Sequence, residues 1–251
     1  MRPVQPNLAV AIALFALPAC PEDADAAGLR AMPPRERIRI AEGFVAPDLC
    51  ERIIASVDPD QVFDMSLLNV QEGGTVETMG RHVDSEVRYT QSANLDAVDR
   101  EVNGTFQRIV ADLVEPAYGL TIDYWEAPQL LIYPPGGHYL PHVDGEYVYY
   151  DTDPRGEWRR ITDRDISVIW YLNDDFAGGQ LTFPDLDLTV APRAGMVVAF
   201  PSTHEFFHGA LPVESGMRYA IVSWMAALGT PRVLPQPPSM PHVRRGAYLP
   251  L

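Results

Sequence analysis

The chain has 251 residues with 19 basic against 34 acidic side chains, a net charge of −15, and every basic residue is an arginine. Its hydrophobic content of 47% and charged content of 21% are typical of a globular protein and argue against wholesale disorder. The acidic balance weighs against nucleic acid, the absence of lysine excludes Schiff-base and P-loop lysine chemistry, and two cysteines are too few for a disulfide framework or a cysteine-based zinc site.

Residues 1–35 are interpreted as a leader or a disordered segment and are left out of the fold prediction. The apolar run from Leu8 to Leu17 resembles the hydrophobic part of a secretory signal, and Ala24-Asp25-Ala26 offers a small-residue cleavage site. This run is too short to span a bilayer as a helix, so no stable transmembrane segment is predicted. The alternative is a start codon assigned too early, with Met32 as the true first residue.

Two amphipathic helices are predicted ahead of the strands. The first has Pro47 in its first turn, and its apolar face carries Leu49, Ile53, Ile54 and Val57. The second runs from about Asn94, which can cap it, to Glu115, where the following Pro116 is predicted to end it.

From Gln129 onwards the apolar pattern has the period of short strands bounded by Pro, Gly or Asp-rich turns. The predicted strands are 129–133, 166–173, 180–183, 186–190, 196–200, 210–213 and 218–226. This order predicts a mainly β domain over residues 36–230, a sandwich or barrel with supporting helices on one face. The polar-aromatic segment 146–163 is predicted to be a substrate-contacting loop, with a solvated β-hairpin as the alternative. Residues 231–251 are predicted to be a proline-rich tail.

Three side chains are candidates for one metal site. His142 and Asp144 stand two residues apart just after a strand, and strand alternation places residues i and i+2 on the same face. A third ligand must come from elsewhere, and His208 at the end of another strand segment is the natural candidate. Two imidazoles and one carboxylate on one face of an octahedron leave three open positions, the arrangement of non-heme Fe(II) oxygenases.

Arg218 lies ten residues after His208, beyond a turn at Ser215-Gly216. An arginine there can form a two-pronged salt bridge with the far carboxylate of a molecule that chelates iron at its other end. The dicarboxylate 2-oxoglutarate fits that spacing. Tyr171 shares a strand face with Ser167 and could add a hydrogen bond to the same carboxylate. Because the chain has no lysine, arginine is the only permanent cation available for this role.

Several segments resemble the prolyl-4-hydroxylase-like branch of the Fe(II)- and 2-oxoglutarate-dependent dioxygenases. They are YPPGGHYLPHVD at 133–144, WYLN at 170–173, GGQLTFP at 178–184, PRAG at 192–195, FPS at 200–202 and residues 208–224. The resemblance covers roughly residues 38–225. It implies a double-stranded β-helix, or jelly roll, with His142, Asp144 and His208 on iron. It also implies that Arg218 holds 2-oxoglutarate, with Tyr133 and Tyr171 assisting, although many prolyl hydroxylases of this branch have lysine at the position of Arg218.

The activity that follows is hydroxylation of an unactivated C–H bond in a peptidyl substrate, prolyl peptides included, or in a small molecule. The resemblance implies Fe(II), 2-oxoglutarate as co-substrate, O2 and ascorbate, with succinate and CO2 released. The charge of −15 argues, within this family, against duplex DNA or RNA as substrate. Because 2-oxoglutarate is a cytoplasmic metabolite, the cytoplasm is favoured over the export that the leader-like segment suggests.

A competing motif is present, because residues 204–208, HEFFH, match the H-E-x-x-H signature of zinc metallopeptidases. That chemistry requires a helix that turns both histidines towards one zinc. The motif lies between a predicted strand and Gly209, which leaves no room for a real helix, so a coincidence is the preferred interpretation. A zinc metallopeptidase and a non-catalytic β-barrel binding module are the two alternative functions.

Overall fold

The computed structural model describes residues 32–64, 67–71, 79–83, 85–150, 153–236, 238 and 241–246. The apolar run and the cleavage-like site of the leader prediction lie outside these residues. No helix within the described ranges is long and apolar enough to cross a membrane. The division of the chain at residues 35 and 230 stays a prediction.

Strands, most of them short, are the commonest regular elements of the described chain. They are β1 Arg39–Ala41, β2 Phe63–Asp64, β3 Leu67–Gln71, β4 Met79–Val83, β5 Arg88–Tyr89, β6 Gln91–Ala93, β7 Ile122–Glu126, β8 Gln129–Tyr133, β9 His138–His142, β10 Glu146–Tyr149, β11 Glu157–Arg160, β12 Ile166–Tyr171, β13 Ala177–Gly178, β14 Leu181–Phe183, β15 Leu188–Val190, β16 Val197–Pro201, β17 His208–Ala210, β18 Val213–Ser215, β19 Arg218–Ala227 and β20 His242–Arg244. The α-helices are α1 Pro47–Ala55, α2 Asp99–Ile109 and α3 Glu115–Tyr118, with a π-helical turn, Val110–Val114, between α2 and α3. Single 3-10 turns lie at Pro34–Arg37, Pro59–Gln61, Asp96–Val98, Pro184–Leu186 and His204–Phe206.

Two main antiparallel sheets build the domain, and β3-β4, β10-β11 and β13-β18 form three further two-stranded sheets. The larger sheet has the order β1-β16-β12-β19-β8-β6-β2, and the second half of the long strand β19 pairs with β7, which in turn pairs with β20. The smaller sheet has the order β15-β14-β17-β9-β5. The prediction of a mainly β jelly roll with supporting helices is confirmed.

The larger sheet is buried on both faces, and β12 shows how the two faces differ. Ile166, Val168 and Trp170 pack in the core that the helices share with this sheet, together with Phe106 of α2. Ile169 and Tyr171 project to the opposite side and pack in a second core with side chains of the smaller sheet, such as Phe183. The alternating side chains of β12 therefore contact the helices on one face of the larger sheet and the smaller sheet on the other face.

The second predicted helix continues through Pro116, so the prediction that this proline ends it is wrong. The prediction that Asn94 caps this helix is also wrong, because the N-cap residues are Leu95 for the 3-10 turn and Val98 for α2. The Asn94 side-chain oxygen does accept from the Asp96 N–H, at 3.3 Å. The π-helical turn before Glu115 shifts the hydrogen-bond pattern and places Pro116 in the first turn of α3, where a proline lacks no required donor. The helix ends at Gly119, whose φ of 64° is left-handed.

Most predicted strands form within a few residues of their expected bounds, but the strand at 210–213 is wrong. The chain leaves the smaller sheet at Ala210 and enters β18 at Val213, where it pairs with β13. The segment 146–163 includes a hairpin of β10 and β11, and its contact with a substrate stays a prediction. The proline-rich tail contributes β20, which covers the open side of β7.

Tyr118 is expected to make the free energy of unfolding fall at alkaline pH. Its hydroxyl is buried and shares its proton between the carbonyl oxygens of Arg37 and Ala199, each at 2.8 Å. Burial raises the pKa of Tyr118, because the phenolate would be desolvated. Above pH 10 the unfolded chain can ionise this tyrosine and the folded chain cannot, so the free energy of unfolding should fall with pH by about 1.4 kcal/mol per unit for this group.

The measurement is urea unfolding of wild type and Tyr118→Phe between pH 8 and 11. Tyr118→Phe loses the hydrogen bonds at every pH. Above pH 10, however, its free energy of unfolding should fall less steeply with pH than that of wild type, by up to the contribution of one titrating proton. A difference between the two proteins that stays constant over this pH range would contradict the prediction.

Candidate metal centre

Two neighbouring strands and the turn after one of them bring the three predicted ligands together. His142 ends β9 and pairs in register with His208, the first residue of β17. Asp144 follows two residues later, where the chain leaves the sheet. One ligand atom from each residue lies within 4.8 Å of the other two. The side chains of Asp144 and His208 are each 7% exposed and that of His142 is 24% exposed, so the cluster is most open on the His142 side.

The backbone selects which ring nitrogen of each histidine is free. Nδ1 of His142 lies 3.0 Å from the Leu140 carbonyl oxygen, and Nδ1 of His208 lies 2.9 Å from that of Phe206. A carbonyl only accepts, so each Nδ1 carries the proton and each Nε2 keeps its lone pair. These Nε2 atoms face Asp144, at 3.6 Å from Oδ1 for His142 and 3.5 Å from Oδ2 for His208.

The protonation states also suit a metal. Burial lowers the pKa of His208 to about 4, although the Asp144 carboxylate works in the opposite direction, so the imidazole is neutral near pH 7. Burial opposes ionisation of Asp144, but His208, His142 and Arg164 together hold its pKa well below the usual range. Neutral imidazoles and an ionised carboxylate are the forms that bind a divalent cation.

Gly145 explains how the chain can turn directly after Asp144. Its N–H donates to the Ser202 carbonyl oxygen at 2.9 Å. A Cβ at this position would lie 2.8 Å from that oxygen and 3.0 Å from the Arg164 carbonyl oxygen. Only glycine therefore lets the turn pack against β16 and the loop before β12. Tyr139 supports the other side of the site, with its ring stacked on His142 at 3.7 Å.

Arg218 and its two predicted tyrosine partners form a second part of the site. Arg218 is 2% exposed and pairs in register with Tyr133. Its guanidinium lies 4.3 Å from the Tyr133 ring centre and 5.1 Å from that of Tyr171, and Nη2 donates to the Tyr171 hydroxyl at 3.5 Å. Nε and Nη1 are buried without a hydrogen-bond partner among the described residues. A buried guanidinium with two unused donors fits an anionic ligand such as a carboxylate.

The H-E-x-x-H segment does not form a zinc site. His204–Phe206 is a single 3-10 turn, so His204 and His208 do not share a helix face. Nδ1 of His204 instead contacts the Glu146 carboxylate at 2.6 Å. The Glu205 carboxylate accepts from Arg37 at 2.9 Å. Of this motif, only His208 reaches the metal centre.

Sequence reasoning did not single out three polar groups that surround Asp144. Ser167 Oγ donates to Asp144 Oδ2 at 2.7 Å, and the Ser202 hydroxyl lies 2.8 Å from Ser167 Oγ. Arg164 Nη1 reaches the Asp144 carbonyl oxygen at 3.3 Å, while its guanidinium covers the Trp224 ring at 3.8 Å. The polar face of strand 166–173 was the one available signal, and it points to Ser167 alone.

Comparison with known proteins agrees with this geometry. A family model described as the 2OG-Fe(II) oxygenase superfamily matches residues 128–226, which contain the three ligand candidates, Arg218 and both tyrosines. The chain carries a 2OG-Fe(II) oxygenase domain. Fe(II), 2-oxoglutarate and O2 are the cofactors that this family implies.

The oxygenase domain has prolyl hydroxylases among its relatives. Human prolyl 3-hydroxylase 3 is 44% identical over 90 residues, which are 33% of this chain and 12% of that protein. Prolyl 4-hydroxylase subunit alpha-2 of Gallus gallus is 28% identical over 141 residues, which are 53% of this chain and 24% of that protein. The chain therefore matches only a small part of the length of these relatives.

Solved structures share the fold of the oxygenase domain. The viral collagen prolyl hydroxylase from Paramecium Bursaria Chlorella virus-1, in its 2OG complex, has a TM-score of 0.53 at 20% identity and covers 75% of this chain and 95% of its own. A prolyl hydroxylase from Trichoplax adhaerens, in complex with a hypoxia inducible factor peptide fragment, has a TM-score of 0.51 at 19% identity. It covers 76% of this chain and 84% of its own. These likenesses support the jelly-roll architecture.

Proposed function

We propose that the oxygenase domain hydroxylates an unactivated C–H bond, with His142, Asp144 and His208 as Fe(II) ligands and Arg218 as the anchor for 2-oxoglutarate. The observation that carries this proposal is the convergence of the three ligand atoms within 4.8 Å. When bound, Fe(II) with 2-oxoglutarate and O2 supplies the oxidising power that converts R–H, 2-oxoglutarate and O2 into R–OH, succinate and CO2.

The protein's part in this reaction is to hold ligands and leave positions open. The two Nδ1–H···O=C bonds fix the rings so that both Nε2 lone pairs and the Asp144 carboxylate face one point. With these three protein ligands, a bound ion would keep positions open for a chelating 2-oxo acid and O2. The charge of Asp144 offsets part of the charge of the cation in a site of low exposure.

Arg218 and the two tyrosines are proposed to hold the far carboxylate of 2-oxoglutarate. The unpaired Nε and Nη1 atoms supply two donors with the planar geometry that a carboxylate matches. Burial raises the pKa of Tyr171, which keeps its hydroxyl protonated and able to donate. Because the Tyr171 oxygen already accepts from Arg218, its own proton can point to the ligand. Tyr133 covers the guanidinium from another side and limits access of water.

The proposed substrate is a peptide, with a prolyl residue as the first target to test. The support comes from the relatives, which are named prolyl hydroxylases, and from the Trichoplax adhaerens structure, which is described in complex with a peptide fragment. The charge of −15 adds a preference for peptides without strong negative charge. A small molecule remains the second class to test.

The decisive assay measures succinate from 2-oxoglutarate with Fe(II), ascorbate and O2, in wild type and Arg218→Ala. Removing the buried cation should lower the rate about 100-fold, because the carboxylate loses a paired, desolvated partner. Uncoupled turnover makes the assay informative before the substrate is known.

Glu205→Gln is the matched control, since Glu205 pairs with Arg37 and does not belong to the metal centre. Glu205→Gln should keep wild-type succinate formation. A zinc peptidase would instead lose its peptidase activity in Glu205→Gln and keep it in Arg218→Ala. Wild-type succinate formation no higher than that of Arg218→Ala would overturn the proposed function.

A further inference from the structure

A short chain of buried hydroxyls leads to the carboxylate of Asp144. Ser167 lies in the middle of β12, and Ser202 follows the last residue of β16. Both residues are 2% exposed. The Ser202 hydroxyl lies 2.8 Å from that of Ser167, and Ser167 Oγ lies 2.7 Å from Asp144 Oδ2.

The directions of these two hydrogen bonds are determined. An ionised carboxylate only accepts, so the single proton of Ser167 points to Oδ2. The bond between the serines must then run from the Ser202 proton to the Ser167 oxygen. The Ser202 backbone is fixed on both sides, because its N–H donates to the Asp165 carbonyl oxygen at 3.0 Å and its carbonyl accepts from Gly145 at 2.9 Å. The hydroxyl chain thus starts from a rigid point.

The histidines alone do not determine how Asp144 would bind a cation. Oδ1 lies 3.6 Å from His142 Nε2 and Oδ2 lies 3.5 Å from His208 Nε2, so each oxygen faces one ring. The Ser167 hydrogen bond makes the two oxygens inequivalent, because only Oδ2 is held by this hydroxyl. An ion bound through both oxygens would compete with Ser167 for Oδ2, and it would weaken a charge-assisted bond on which two buried hydroxyls depend.

We infer that the Ser202–Ser167 hydroxyl chain withholds one oxygen of Asp144 from the metal, so that the carboxylate occupies one coordination position instead of two. Ser167 and Ser202 are in this sense positioning residues. The inference rests on the proposed function, since three open positions are needed for a chelating 2-oxo acid and O2. A carboxylate that bound through both oxygens would leave only two.

The test uses the full chain freed of metal, loaded with Co(II), and titrated with 2-oxoglutarate by calorimetry and by visible Co(II) absorption. In Ser167→Ala we expect the affinity for 2-oxoglutarate to fall about tenfold, while Co(II) affinity stays within about threefold of wild type. Ser167→Thr keeps a hydroxyl and should restore 2-oxoglutarate binding. Ser202→Ala leaves Ser167 in place without its donor and should show a smaller loss, about threefold.

Ser92→Ala is the matched control, because Ser92 is another buried serine, and its hydroxyl donates to the Leu130 carbonyl oxygen at 2.6 Å. It should change neither affinity. Wild-type 2-oxoglutarate affinity in Co(II)-loaded Ser167→Ala would overturn the inference, and so would loss of Co(II) binding in that variant. If Ser167→Ala does not fold, the Ser202→Ala result decides in the same way. Failure of the wild type to bind Co(II) and 2-oxoglutarate together would instead contradict the proposed function.

Discussion

Asp144→Ala is expected to lower succinate formation about 1000-fold, because it removes the one carboxylate among the three proposed ligands. The two imidazoles would remain, without the negative charge that offsets part of the charge of the cation. Binding of Co(II) to the metal-free chain should weaken in parallel, which gives a readout that does not depend on turnover. Far-UV circular dichroism and thermal melting of the metal-free chain separate this loss from loss of the fold.

The matched control for this variant is Asp48→Ala. Asp48 is exposed and pairs with Arg52 across one turn of α1, at 2.7 Å. An exposed pair of this kind contributes little to stability, so both succinate formation and Co(II) binding should stay at wild-type levels. Substantial succinate formation by folded Asp144→Ala would show that the cluster is not the catalytic metal site.

Gly195→Ala is expected to lower the free energy of unfolding by about 3 kcal/mol or more, the largest effect on stability predicted for this chain. Gly195 has a φ of 76°, and a Cβ at this position would overlap the Val45 carbonyl oxygen. The backbone cannot move away easily. The Gly195 N–H donates to the Tyr171 carbonyl oxygen at 2.9 Å, and its own carbonyl accepts from the Val45 N–H at 3.0 Å. Urea unfolding of the two proteins measures the difference.

Gly104→Ala provides the opposite expectation on the same chain. Gly104 lies within α2, and a Cβ there would meet nothing within 4 Å. Alanine should therefore raise the free energy of unfolding by roughly 0.5–1 kcal/mol through helix propensity alone. If both variants shifted stability equally, crowding at Gly195 would not be the cause of its effect.

The residues of the site that could be predicted are those that strand alternation or a short turn places close together. His142 and Asp144 are two residues apart, and strand alternation was enough to place them on one face. Tyr171 follows from the same rule on β12, and the turn at Gly216 returns the chain towards Arg218. His208 was the natural third ligand because it stands at the end of another strand segment, ten residues before Arg218. Tyr133 came from the family resemblance alone.

The parts that could not be predicted depend on contacts between distant strands. The register that sets His208 opposite His142 is fixed by packing of the whole smaller sheet, and a slip of one residue would turn His208 away. Ser202 lies outside any strand pattern, and its role follows from where Gly145 lets the chain turn. The helix prediction was wrong at Pro116 because helix propensity does not reveal the π-helical turn that places this proline in the first turn of α3.

The pairing of the outermost described strands has a consequence for biosynthesis. β1 pairs with β16 and β20 pairs with β7, so the larger sheet joins strands from opposite ends of the described chain. During translation, β7 emerges before β19 and β20, the strands with which it pairs in the folded sheet. Such non-local pairing makes folding slow and exposes strand edges to other chains. The larger sheet described here can therefore be completed only after β20 has been synthesised.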